Sequence, residues 1–108
     1  MLKRLTQAQI QEELSRLSGW KGDERGLEKT LSFGSFRAAL DFMQACFDGI
    51  EKLDHHPVWT NKYNRVEVHL DTFDVGHFVT GRDIALAHHL ESVLTERGAE
   101  LGYTGAGE

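Results

Sequence analysis

Two adjacent imidazoles followed by a proline, His55-His56-Pro57, are the residues of this 108-residue chain best suited to moving a proton. Imidazole ionises near pH 6.5, so at neutral pH it can serve as acid or base. A positioned proton transfer is worth about 10²–10⁴ in rate. Glu51 and Asp54 precede the pair and Trp59 follows it. Residues adjacent in an extended segment point to opposite sides, so His55 and His56 are badly placed to clamp one metal ion. No further ligand set stands at zinc-site spacing beside them. The pair could exchange protons without a metal ion, but its setting by itself names no reaction. The single cysteine, Cys46, rules out an intrachain disulfide. Its neighbours Phe42, Met43 and Phe47 suit a small buried thiol better than a nucleophile.

The elements that must position these groups can be read from caps and periodicity. Thr6 and Gln9 form a capping box, with Leu5 and Ile10 at the staple positions. Ile10, Leu14 and Leu17 make the buried stripe of this first helix, and Gly19 stops it. Trp20 to Glu24 and Leu27 to Phe33 read as a hairpin, with Leu27, Leu31 and Phe33 on one strand face. Ser35 caps a second helix, in which Phe36, Leu40, Met43, Phe47 and Ile50 recur at spacings of four and three and are expected to be core. Pro57 pushes His56 toward an extended conformation. Between Tyr63 and Leu70 the residues Val66, Val68 and Leu70 alternate with Arg65, Glu67 and His69, as in a half-exposed strand. Asp71 to Val79 is a loop, and Thr80 with Asp83 caps a third helix that buries Leu86, Leu90, Val93 and Leu94. The tail 98–108, rich in glycine, is expected to fray. The order α-β-β-α-β-β-α predicts an α+β fold: one domain over 1–108, with a four-stranded antiparallel sheet and three helices on one face.

Bulk properties exclude several roles. With a net charge of -5 and Lys and Arg scattered in no run longer than Lys3-Arg4, a nucleic-acid partner is disfavoured. The N-terminus turns polar before a signal peptide could form. No apolar run is long enough for a bilayer. A cytoplasmic protein without membrane contact is expected.

The stretch Glu51-Lys52-Leu53-Asp54-His55-His56-Pro57-Val58-Trp59, continued by Asn61, Tyr63, Asn64, Val66 and Val68, resembles the signature of the pterin-4a-carbinolamine dehydratases. Thr80-Gly81-Arg82-Asp83-Ile84-Ala85-Leu86-Ala87 is similar to the family's closing motif, an aspartate that begins the last helix followed by a Leu-Ala pair. The likeness in element order covers residues 5 to 97. It implies a hydro-lyase that dehydrates 4a-hydroxytetrahydropterin to quinonoid dihydropterin in tetrahydrobiopterin recycling, with neither metal nor organic cofactor. It also implies a homodimer or homotetramer. By the same resemblance His55 is the principal acid/base and His56 contacts the pterin and helps to steer the proton. Glu51 is the upstream acid that positions or polarises the site, and Asp83 is the distal aspartate. Pro57, Trp59, Phe73 and His77 fall to substrate binding. Asp83 is equally a competent helix cap, and the two roles can coexist.

The chain departs from the family pattern at Thr72-Phe73, where a third histidine usually follows the threonine. Phenylalanine can stack on a pterin but cannot move a proton. The following loop is one residue longer than the usual form and contains His77. Either His77 folds back to supply the missing imidazole, or the chain is a pterin-binding or protein-dimerising relative with weak or no turnover. His69, His88 and His89 are expected to be solvated or packed.

Overall fold

The computed structural model describes residues 2–106. Four antiparallel strands, β1 (Lys21–Asp23), β2 (Gly26–Ser32), β3 (Val58–Lys62) and β4 (Arg65–Leu70), lie in the order β1-β2-β4-β3. The β2–β4 pair is central, in register from Leu27 opposite Leu70 to Ser32 opposite Arg65. β3 folds back on β4 and forms a free edge. Asn61 shapes this hairpin, its Nδ2 donating to the carbonyls of Tyr63 and Arg65 at 3.0 Å each. The Asn64 amide ties the turn to the Phe33 carbonyl at 2.9 Å. This is the expected α+β architecture.

Helix α1 (Gln7–Leu14) starts at the capping box: Gln9 N donates to Thr6 Oγ1 and Thr6 N to Gln9 Oε1. It ends sooner than the sequence suggests, and Leu17 is buried from the turn beyond it. Helix α4 (Gly81–Arg97) carries the expected Leu86, Leu90, Val93 and Leu94 into one core cluster with Leu27, Leu31, Phe33, Val66, Val68 and Leu70. β4 alternates between buried and half-buried residues throughout, as its sequence predicts. Lys29 is the polar exception on the buried side of β2. Its Nζ donates to Glu91 Oε2 at 2.7 Å and to the Ser18 carbonyl at 2.9 Å, and Trp20 Nε1 reaches the same carboxylate oxygen at 2.9 Å. A buried ammonium without that carboxylate would be strongly unfavourable.

Two expectations need correction. The second helix is two helices, α2 (Phe36–Ala45) and α3 (Phe47–Leu53), broken at Cys46. Of its expected core stripe only Ile50 is buried. Phe36, Leu40 and Phe47 are 47%, 40% and 53% exposed, and Met43 is half-buried. The buried residues are Ala39, Phe42, Cys46 and Ile50, a stripe rotated by about one residue. Both stripes are apolar, so periodicity could not rank them. The inward one carries the small side chains that allow close packing. One close approach is explicit: a Cβ on Gly49 would lie 1.9 Å from His89 Cε1. His89 Nε2 meets the Cys46 carbonyl at 3.1 Å. Burial pushes the Cys46 thiol up to about 12, which leaves it inert as a nucleophile.

The tail also packs rather than frays over residues 98–106. Leu101 is buried, and the Tyr103 ring lies 5.6 Å from that of Phe33. Gly105–Ala106 forms a short strand, β5, along the end of β2. Residues 107–108 lie outside the described residues. Among the described residues no helix is long and apolar enough to cross a membrane.

Candidate active site

Asp54 ends α3 in the left-handed conformation (φ 51°), and the chain then runs extended into Pro57. Successive side chains therefore diverge, as expected: His55 turns inward and is 8% exposed, whereas His56 is exposed. His55 Nε2 lies 2.6 Å from Asp83 Oδ1. His56 Nε2 lies 2.7 Å from Glu51 Oε2, so Glu51 positions the outer imidazole and not the inner one.

Asp83 has no exposed surface. Its Oδ2 accepts the Thr72 hydroxyl at 2.7 Å and the Thr80 backbone N–H at 2.9 Å, while Oδ1 serves His55. Thr72 has one hydroxyl proton and gives it to Asp83, so in the 2.8 Å contact between the two hydroxyls Thr80 is the donor. Asp83 is thus both helix cap and histidine partner. An ionised carboxylate only accepts hydrogen bonds. Opposite a carboxylate, the tautomer of His55 that suits this contact is the one that donates from Nε2.

Beside this buried pair opens a cleft of about 370 Å³, lined by His55, His56, Asp54, Val58, Asp71, Thr72, Phe73, Asp74, His77 and Arg82. The expected residues Glu51, Pro57 and Trp59 do not line it. With Phe47, Ile50 and His56 they form an adjoining, more apolar depression of about 400 Å³, and His56 lines both. Trp59 is half-buried, its ring edge-on to Phe42 at 6.5 Å.

The loop after β4 makes the cleft's outer wall. A bridge between Thr72 and Phe78 closes it around the 3-10 turn Phe73–Val75. The Phe78 ring is held between the guanidinium groups of Arg4 and Arg25, 3.8 and 4.3 Å from its centroid. Phe73 is 75% exposed and meets the His77 ring edge-on at 5.2 Å. His77 sits at φ 64°, a conformation unusual for a residue with a Cβ. His77 Nδ1 lies 3.0 Å from Asp71 Oδ1.

Comparison with known proteins identifies the family and its fold. The family model described as "Pterin 4 alpha carbinolamine dehydratase" matches residues 3–93. The chain belongs to this family. An Opitutus terrae relative named "Putative pterin-4-alpha-carbinolamine dehydratase" is 50% identical over 90 residues, 82% of this chain and 92% of its own length. A Sulfurisphaera tokodaii relative with the same name is 35% identical over 94 residues, 87% of this chain and 100% of its own. A crystal structure of a transcriptional coactivator/pterin dehydratase from Brucella melitensis superposes with a TM-score of 0.79 at 36% identity, covering 84% of this chain and 98% of that one. A pterin dehydratase-like protein described as a RuBisCO assembly factor in the alpha-carboxysome has a TM-score of 0.54 at 23% identity, over 68% of this chain and 84% of its own, a likeness of fold alone. The name of the family denotes dehydration of a pterin carbinolamine, a hydro-lyase reaction.

Asp71, Thr72 and Arg82 are cleft residues that sequence reasoning missed. Arg82 lies inside the closing motif without an obvious role, and its Nη1 is 3.9 Å from Asp74 Oδ2. Asp71 had a signal: two residues beyond His69, it projects to the same side of the strand. Replacing Asp83 with alanine should destabilise the fold by about 2–4 kcal/mol. It removes a helix cap and strands a buried hydroxyl and a buried imidazole. Urea unfolding measures this, and a change below about 1 kcal/mol would show that Asp83 does not hold the site together.

Proposed function

We propose that the chain dehydrates 4a-hydroxytetrahydropterin to quinonoid dihydropterin by histidine acid/base catalysis, as a step in tetrahydrobiopterin recycling. The observation that carries this reading is the buried His55, held by Asp83 at the edge of a cleft shared with His77 and Phe73. At about 370 Å³ the cleft falls within the roughly 300–1,000 Å³ usual for small-molecule sites. In the reaction the C4a–O bond breaks and the hydroxyl takes a proton to leave as water. A ring nitrogen gives up its proton, and its electrons form the new C=N bond. The proton count balances, with no oxidation, so groups that exchange protons near neutral pH suffice. His55 is the principal acid/base, and His56, oriented by Glu51, contacts the ring and steers the proton. His77 takes the place of the imidazole that Phe73 lacks, while Phe73 supplies a face for stacking.

Phe73 also favours a second reading, a pterin-binding relative with weak or no turnover. One assay separates the two: enzymatically generated 4a-hydroxytetrahydropterin is supplied and its loss is followed spectroscopically. Wild type should exceed the spontaneous rate, His55→Ala should fall about 100-fold and His77→Ala on the order of 10-fold. Wild type that binds a reduced pterin but does not exceed the spontaneous rate would establish the second reading. Equal rates for wild type and His55→Ala would remove the acid/base assignment.

We further propose that a second copy of the chain covers the exposed stripe Phe36, Leu40 and Phe47, giving a homodimer or homotetramer. Contiguous apolar surface of this kind marks interfaces. Sedimentation should find wild type as a dimer or larger and Leu40→Asp smaller. A monomeric wild type at micromolar concentration contradicts it.

A further inference from the structure

His69 and Asp71 were not expected to take part in chemistry, yet they form a continuous chain of polar contacts with His77 in the cleft wall. Asp71 Oδ2 lies 2.8 Å from His69 Nε2, and Asp71 Oδ1 lies 3.0 Å from His77 Nδ1. The other nitrogen of His69, Nδ1, lies 3.0 Å from Glu28 Oε2 on β2. Carboxylates only accept hydrogen bonds, so an imidazole between two of them must donate from both nitrogens. With Glu28 and Asp71 ionised, these contacts call for the imidazolium form of His69. Burial lowers its pKa, but the hydrogen bonds to Glu28 and Asp71, with the charges of both, outweigh that and the net shift is upward. Burial raises the Asp71 pKa, and its bonds to His77 and His69 more than reverse this, leaving it below the usual carboxylate range.

The backbone is fitted to this arrangement. The His69 ring packs over Gly26, where an added Cβ would come within 2.2 Å of Cε1. At the end of β4 the two neighbours Asp71 and Thr72 face opposite ways. Thr72 turns inward to Asp83, which holds His55, and Asp71 turns outward to His77. One strand end thus sets two imidazoles that line the same cleft.

We propose that Asp71, its charge balanced by His69, is a positioning residue that fixes the ring of His77 with the proton on Nδ1 and so presents Nε2 as the second acid/base of the cleft. This rests on the dehydratase reading of that cleft. His77 lies between the 3-10 turn Phe73–Val75 and the Thr72–Phe78 bridge, and its left-handed backbone persists only where its surroundings fix it. The carboxylate of Asp71 does so, as a carboxylate fixes the tautomer and direction of a catalytic histidine elsewhere.

The test is a double-substitution cycle in the dehydration assay, with Asp71→Asn, His77→Gln and both together. Asp71→Asn should lower kcat on the order of 10-fold with KM within about 2-fold. The double variant should be no slower than His77→Gln alone, because Asp71 acts only through His77. Ring ¹⁵N spectra should find His77 protonated on Nδ1 in wild type and as a tautomer mixture in Asp71→Asn, a change that a merely structural role would not produce. Wild-type turnover with Asp71→Asn unaffected, or with multiplicative losses in the double variant, would overturn this proposal and leave the dehydratase reading standing. No turnover by wild type would overturn both.

Discussion

A carboxylate with no contact with water has to find hydrogen-bond donors for both of its oxygens, and Asp83 does this by drawing three distant parts of the chain to one point. The Thr80 N–H comes from the start of α4, the Thr72 hydroxyl from just beyond β4, and the His55 ring from the segment joining α3 to β3. Each donor also satisfies a local requirement. The Thr80 N–H precedes a helix whose first amides need acceptors, and Thr72 anchors a loop whose Val75 and His77 amides both bond to its carbonyl. His55 is a buried polar ring that would be costly unpartnered. The stability of this corner and the orientation of the inner histidine are therefore one arrangement of bonds, so that a helix cap also belongs to the proposed reaction site.

Around that corner the fold sorts side chains by the simple alternation of extended backbone. His55 turns in and His56 out; Thr72 turns in and Asp71 out. The inward members meet at Asp83, and the outward ones face Glu51 and the pair His69 and His77. Where the family resemblance leads one to expect a third histidine the chain has Phe73, but the loop, stapled by Phe78 and two arginines, brings another imidazole to the wall of the same cleft. In the proposed mechanism the imidazole has moved from one side of the loop to the other while Phe73 keeps a flat apolar face toward the site.

Much of this was legible in the sequence because it is written in local signals. The capping residues Thr6, Ser35 and Thr80 start the helices where expected, and the alternation of Val66, Val68 and Leu70 fixes the inner face of β4. What failed were inferences that depend on tertiary choice. The second helix offers two neighbouring apolar stripes, and only packing against the sheet decides that Phe42 and Ala39 go inward while Phe36 and Leu40 face out. The tail looked too rich in glycine to hold, yet Leu101 and Tyr103 find places on the core. The His55–Asp83 contact, across 28 positions, could be drawn only from resemblance, and the division of the expected ligand residues between two depressions could not be drawn at all.

The central claim is that the ring of His55, held by Asp83, faces the place where a pterin lies. Titrating uniformly ¹⁵N-labelled protein with a stable dihydropterin while recording the histidine ring resonances tests this most directly. The rings of His55 and His77 should shift together and saturate at one ligand per chain, with those of His88 and His89 unmoved. Saturable binding that leaves the His55 ring undisturbed would contradict it.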